Sequence, residues 1–90
     1  MPKDSNTLPL GNIGLPSVVR TSADLGAAAR QQRQHLGLKQ DDVAGLANTG
    51  TRFVGDLENG KPTIQLQKAL DLLELLGLEV VVQAKSGRLS

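Results

Sequence analysis

The chain has 90 residues, a formal net charge of +1, no cysteine and a single aromatic residue, Phe53. That length holds one domain with a modest core, of the kind often supported by oligomerisation, and a chain without cysteine has no disulfide and no thiolate metal site. A near-neutral balance gives no global field for nucleic acid, so any such role needs local charge asymmetry; one aromatic argues against single-strand stacking platforms and aromatic RNA-binding sheets.

Residues 1–20 open with three of the four prolines, Pro2, Pro9 and Pro16, and read as a flexible arm. They lack the basic and apolar regions of a secretory signal. No apolar run approaches the roughly 20 residues of a membrane span, and a cytoplasmic location is expected. "SVVR" at 17–20 can form a short strand. Thr21 and Ser22 then offer an N-cap, with Asp24 in the first turn where a carboxylate meets the helix dipole. Leu25, Ala28, Ala29 and Leu36 share one face of this first helix, Arg30, Arg33 and Gln34 lie largely off it, and Gly37 ends it. Arg30 reads as a solvated or phosphate-facing charge. His35 has no cysteine or second histidine with which to hold a metal, so a surface or boundary role is expected.

The second helix runs from about Lys39 or Gln40 to Ala47, with Val43, Ala44, Leu46 and Ala47 as its buried set. Asp41 and Asp42 fall in its first turn and suit the dipole better than acid–base chemistry. "NTG" at 48–50 is turn chemistry. A third helix, about Thr51 to Asn59, buries Phe53, Val54 and Leu57 and leaves Thr51, Arg52 and Asp56 to solvent; Gly60 stops it and Pro62 does not continue it. The fourth helix begins between Thr63 and Leu66 and ends at Gly77. Leu66, Ala69, Leu70, Leu72, Leu73, Leu75 and Leu76 cover well over half its circumference, so it needs two surfaces to bury against. One is its own core and the second is expected to be another copy of the chain.

In "LEVVVQA", 78–84, Leu78, Val80, Val82 and Ala84 alternate with Glu79, Val81 and Gln83, which is strand periodicity with β-branched residues. A lone strand leaves its backbone groups unpaired, and the simplest partner is its own copy across a two-fold axis. Leu72, Leu76, Leu78, Val80 and Val82 are therefore the expected dimer interface. Residues 85–90 read as a flexible tail. No internal repeat and no nucleophile–base pair is present, and "LENGKPT" lacks the second glycine and the GK[ST] of a phosphate loop.

With these elements placed, residues 21–77 resemble a helix-turn-helix DNA-binding domain of the lambdoid-repressor (Xre/Cro) class. "RQQRQHLGLKQDDVAGLANTGTRFVGDLENGK" carries the resemblance: the Arg a turn before "LGL", the Gln opening the second helix, the central Ala, the "FV" of the third helix and the "LENGK" ending. The sequel "PTIQLQKALDLLELLGLEVVV" is similar to HipB-like antitoxins. The resemblance implies a mainly α, lambda-repressor-like bundle of four to five helices with a C-terminal strand pairing across a dimer. It implies a non-enzymatic repressor with no cofactor and no small-molecule substrate. Its partners would be double-stranded operator DNA, read in the major groove, and a HipA-like kinase toxin.

By the same resemblance Thr51, Arg52, Gly55 and Asp56 occupy base-facing positions, and Lys39, Gln40, Asn59 and Lys61 phosphate-facing ones. Arg33 and Glu58 would form an ion pair between the first and third helices. A guanidinium at Arg52 matches guanine O6 and N7, worth about 1–3 kcal/mol of discrimination, or else reaches a phosphate and adds affinity without sequence information. Asp56 either accepts from a cytosine amino group or is a solvated charge or a partner for Arg52. Gly55 has no side chain to read with and costs the helix roughly 0.5–1 kcal/mol relative to alanine. Gly50 stands where the class usually has Ser, Thr or Lys, and Asn48 where it usually has the turn glycine. Two other roles stay open: an interaction protein that neutralises a partner with little DNA binding, and a stand-alone phage-type repressor.

Overall fold

The computed structural model describes residues 16–85, and within them four helices follow in order: α1 (Ser22–His35), α2 (Gln40–Leu46), α3 (Thr51–Glu58) and α4 (Leu66–Leu75). Residues 1–15 of the expected arm and 86–90 of the expected tail lie outside the described residues.

Each helix is bounded by local chemistry. Thr21 caps α1 through a reciprocal box: its hydroxyl accepts from the Asp24 backbone N–H at 3.0 Å, and the Asp24 carboxylate accepts from the backbone N–H groups of Thr21 at 3.2 Å and Arg20 at 2.9 Å. Such boxes satisfy donors that the first turn leaves free. The bond from Arg20 is the largest influence holding the Asp24 carboxyl below its ordinary value of 3.8. It also uses a backbone donor of the segment expected as a strand. Residues 17–20 form no strand and are exposed, because no neighbouring strand pairs with them among the described residues.

Gly37, Gly60 and Gly77 end α1, α3 and α4 in the left-handed region, at φ 75°, 79° and 85°. The chain turns back at each, with Leu38 N–H on the Arg33 carbonyl, Lys61 on Asp56 and Leu78 on Leu73. This is the standard way of satisfying final-turn carbonyls. Between α2 and α3, Asn48 takes φ 56°, a conformation asparagine tolerates better than most residues.

The core consists of Ala29 from α1, Val43 and Ala44 from α2, Val54 and Leu57 from α3, Ala69, Leu72 and Leu73 from α4, and Leu76 just beyond it. α3 packs on both α1 and α2. Gly26 sets the first of these contacts: a Cβ there would collide with the Leu57 carbonyl oxygen and lie 2.7 Å from that of Glu58. Gly60 plays a similar part, since its Cβ would come within 2.6 Å of the Ala23 Cα. Ser22 fastens the same corner by donating its hydroxyl to the Gly60 carbonyl at 2.9 Å.

Several expectations of burial are corrected. Leu36, Leu46, Leu66 and Leu75 are exposed by 44%, 63%, 63% and 44%. Leu36 sits past the last turn of α1, where the chain reverses and the helical face no longer applies. Leu46 and Leu75 instead line a groove of about 250 Å³ between α2 and α4, with Phe53 at its side and Lys68 Nζ 4.6 Å above that ring. Conversely Arg33, expected off the apolar face of α1, is buried, and so is Gln32, a polar residue at the spacing of that face. The Gln32 amide nitrogen donates to the Leu76 carbonyl at 2.9 Å, which ties α1 to the end of α4.

Leu72 and Leu76, expected at a dimer interface, are each only 2% exposed within the single chain. They fill the protomer's own core and have little surface left for a second copy. Residues 78–85 form no strand within the chain: Leu78 packs partly on the core, while Val80, Val81 and Val82 are exposed by 54%, 67% and 94%.

Candidate nucleic-acid interface

α3 divides cleanly. Val54, Leu57 and Glu58 face inward, whereas Thr51, Arg52, Gly55, Asp56 and Asn59 share the opposite side at exposed or half-buried positions. Residues three and four apart, such as 52 and 55 or 51 and 55, fall on one helical face. The four positions expected to face bases, 51, 52, 55 and 56, are thus brought together on one surface.

Their side chains differ in what they already hold. Arg52 is exposed and makes no hydrogen bond or ion pair among the described residues. Thr51 donates its hydroxyl to Asp41 Oδ1 of α2 at 2.7 Å. Asp56 Oδ2 lies 3.5 Å from Lys61 Nζ, so its partner is Lys61 and not Arg52. An ion pair this open to solvent is worth about 0–1 kcal/mol and does not tie the lysine down. Gly55 presents bare backbone, with the Gln40 side-chain oxygen 3.9 Å from where a Cβ would stand.

Of the positions expected to meet phosphates, Lys39, Asn59 and Lys61 are exposed and Gln40 is half-buried. The backbone N–H of Lys39 is held by the Asp42 carboxylate at 2.8 Å, which opens α2 and leaves the ammonium free to extend. Gln40 turns inward and donates from its amide to Glu58 Oε1 at 3.0 Å. A primary amide has two hydrogens to give, so one remains for another acceptor.

Beneath this face Arg33 grips Glu58, with Nε to Oε2 at 2.6 Å and Nη2 to Oε1 at 3.0 Å. The third guanidinium nitrogen donates to the Leu38 carbonyl at 2.8 Å. The hydrogen bonds to Glu58 raise the Arg33 pKa above its ordinary value, against an opposing contribution from burial. The result is a rigid base under α3: one carboxylate binds α1, α2 and α3 together. The sequence did not reveal the Asp41–Thr51 bond or the role of Gly26. The first has no signature, since it joins two ordinary polar residues; the second had a weak one, a glycine inside the small-residue run "LGAAA".

Among the described residues no cluster of His, Cys, Asp or Glu could hold a metal, and no helix is long and apolar enough to cross a membrane. Two short helices joined by a tight turn, the second backed by an ion pair and showing a polar face, define a helix-turn-helix protein. The helix-turn-helix domain family matches residues 24–84, and the chain belongs to that family. An uncharacterized HTH-type transcriptional regulator, y4mF of Sinorhizobium fredii (strain NBRC 101917 / NGR234), is similar to it, with 44% identity over 70 residues, covering 78% of this chain and 92% of the relative.

Proposed function

We propose that this chain is a sequence-specific transcriptional repressor that binds double-stranded operator DNA as a homodimer in the cytoplasm. The observation that carries the reading is Arg52: an exposed guanidinium without a protein partner among the described residues, on the first turn of a helix whose other side is locked to the core. In a helix-turn-helix the N-terminal residues of the second helix enter the major groove, and arginine is suited to guanine there. Membership of the family and a relative described as a transcriptional regulator support the same role. Lys39, Asn59 and Lys61 flank the face as phosphate contacts, with the spare amide hydrogen of Gln40. The valines at 80 and 82 pair with their copies across a two-fold axis, which would give the exposed 78–84 segment its missing strand partner.

The finer role is that of a HipB-like antitoxin, which represses its own operon and holds a HipA-type kinase toxin. Its support is the likeness of "PTIQLQKALDLLELLGLEVVV" to that group. A second reading, an interaction protein with little DNA binding, is favoured by one specific feature: Thr51, Asp56 and Gln40 each already have an intramolecular partner.

Binding to the DNA upstream of its own gene, measured against random duplex over a series of salt concentrations, separates the two. A repressor prefers its operator at every salt and loses affinity steeply as salt rises, because phosphate contacts release counterions. Equal and weak binding to both duplexes supports the interaction protein. Co-purification with the product of an adjacent kinase-like reading frame tests the antitoxin role.

A further inference from the structure

The hydrogen bond between Thr51 and Asp41 fixes more than a contact. A threonine hydroxyl has one proton to donate and two lone pairs to accept with, and an ionised carboxylate only accepts. At 2.7 Å from Asp41 Oδ1, the Thr51 proton points back at α2. Both residues are exposed, so the remaining lone pairs of the hydroxyl stay open to a donor from outside the protein.

We propose that Asp41 is a specificity-determining positioning residue, which holds the Thr51 hydroxyl as an obligate acceptor and so restricts the base it can face. The proposal rests on the reading of α3 as the helix that enters the major groove. On that groove edge the donors are the adenine N6 and cytosine N4 amino groups, while guanine and thymine offer the acceptors N7, O6 and O4. A freely rotating hydroxyl serves either kind. One whose proton is committed meets an amino group productively and faces O6 or O4 with lone pair against lone pair. Thr51 therefore selects adenine or cytosine at one base position in each half-site, although Asp41 itself reaches no base.

The chemistry distinguishes this role from a charge effect. A carboxylate beside a phosphate backbone lowers affinity for every sequence alike, since phosphate interactions carry no sequence information. A carboxylate that orients a hydroxyl changes preference at one position and leaves the others untouched. Asp41 stands on the solvent side of α2, and the first turn keeps Asp42 as its capping acid, so its replacement leaves the helix start in place.

The test is selection of binding sites from randomised duplexes by the full chain and by Asp41→Ala, Thr51→Val and the double variant, with affinities measured on the four single-base variants of the selected site. The wild type is expected to prefer adenine or cytosine at the Thr51 position. Asp41→Ala should lower that preference roughly three- to tenfold, the worth of one neutral hydrogen bond, by admitting guanine or thymine. In the Thr51→Val background the Asp41→Ala change should leave the remaining preference at that position unaltered. A preference that survives Asp41→Ala unchanged, with affinity shifted equally on all four bases, overturns the proposal while leaving α3 as the reading helix. A wild-type protein with no preference at any position overturns the underlying DNA-reading assignment instead.

Discussion

Arg33 and Glu58 lie 25 residues apart and meet as a two-pronged ion pair, buried between α1 and the last turn of α3. The same carboxylate accepts from Gln40 of α2. The pair thereby fixes how the exposed face of α3 is aimed. Removing one partner strands a buried charge, at a cost of about 3–5 kcal/mol, whereas replacing both by apolar residues of similar size is far milder. Arg33→Ala and Glu58→Ala should each lower the urea unfolding free energy by about that amount, and Arg33→Leu/Glu58→Leu by much less. An Arg33→Ala protein as stable as the wild type would show that the pair does not hold α3.

Two glycines on helices separate close packing from mere flexibility. Gly26 meets the backbone of α3, while Gly45 has nothing within 4 Å of a Cβ position. Gly26→Ala must push α1 and α3 apart and should destabilise by about 1–3 kcal/mol or more. Gly45→Ala should stabilise by roughly 0.5–1 kcal/mol, because alanine loses less freedom in a helix. Thermal melts of the two variants should move in opposite directions.

Arg52 and Lys61 should fail in different ways. Arg52→Ala is expected to relax sequence preference by about 1–3 kcal/mol at one base pair. Lys61→Ala should weaken binding to operator and random duplex alike and reduce the slope of log affinity against log salt by about one. Equal loss on every sequence from Arg52→Ala would reassign that side chain to a phosphate.

The exposed valines make a prediction about assembly. Val82→Asp places a charge in the proposed strand pair, and sedimentation should show a shift from dimer toward monomer over a concentration series. Val82 is 94% exposed in the single chain, so the substitution leaves the protomer's core intact. An unchanged association profile would remove the strand-pairing proposal.

The capping box of α1 predicts a pH dependence. The folded Asp24 carboxyl titrates below its ordinary 3.8, so the unfolded chain binds its proton first as pH falls. Its stabilisation is present above 3.8 and is lost as pH drops through the depressed folded value. Asp24→Asn does not titrate at this position. The melting-temperature gap between Asp24→Asn and wild type, open near neutral pH, should close under acid. A gap of constant size would mean that the charge of Asp24 contributes nothing to the cap.

Gly37, Gly60 and Gly77 marked three helix ends, and Thr21 and Asp24 marked a start, because caps are made by residues within a few positions of one another. The inward faces of α2 and α3 were also visible at Val43, Ala44, Val54 and Leu57, since helical spacing alone puts them on one side. α4 was harder. Its apolar residues encircle the helix, and periodicity does not tell which of them enter the core: Leu72, Leu73 and Leu76 do, Leu66 and Leu75 do not. The Arg33–Glu58 pair was expected from the family resemblance and not from the pattern of α1, on which Arg33 falls among the polar positions.

The amino-acid sequence by itself determined where helices begin, turn and end, because those events depend on backbone conformation and neighbours a turn away. The tertiary structure alone decided the distant partners of three polar side chains: Asp41 for Thr51 across 10 residues, Gly60 for Ser22 across 38, and Leu76 for Gln32 across 44. Hydrogen bonds of that span have no local signature. The Ser22 bond lies where Gly26 lets α3 approach α1, and the direction of the Thr51 hydroxyl follows from the turn that brings α2 beside it.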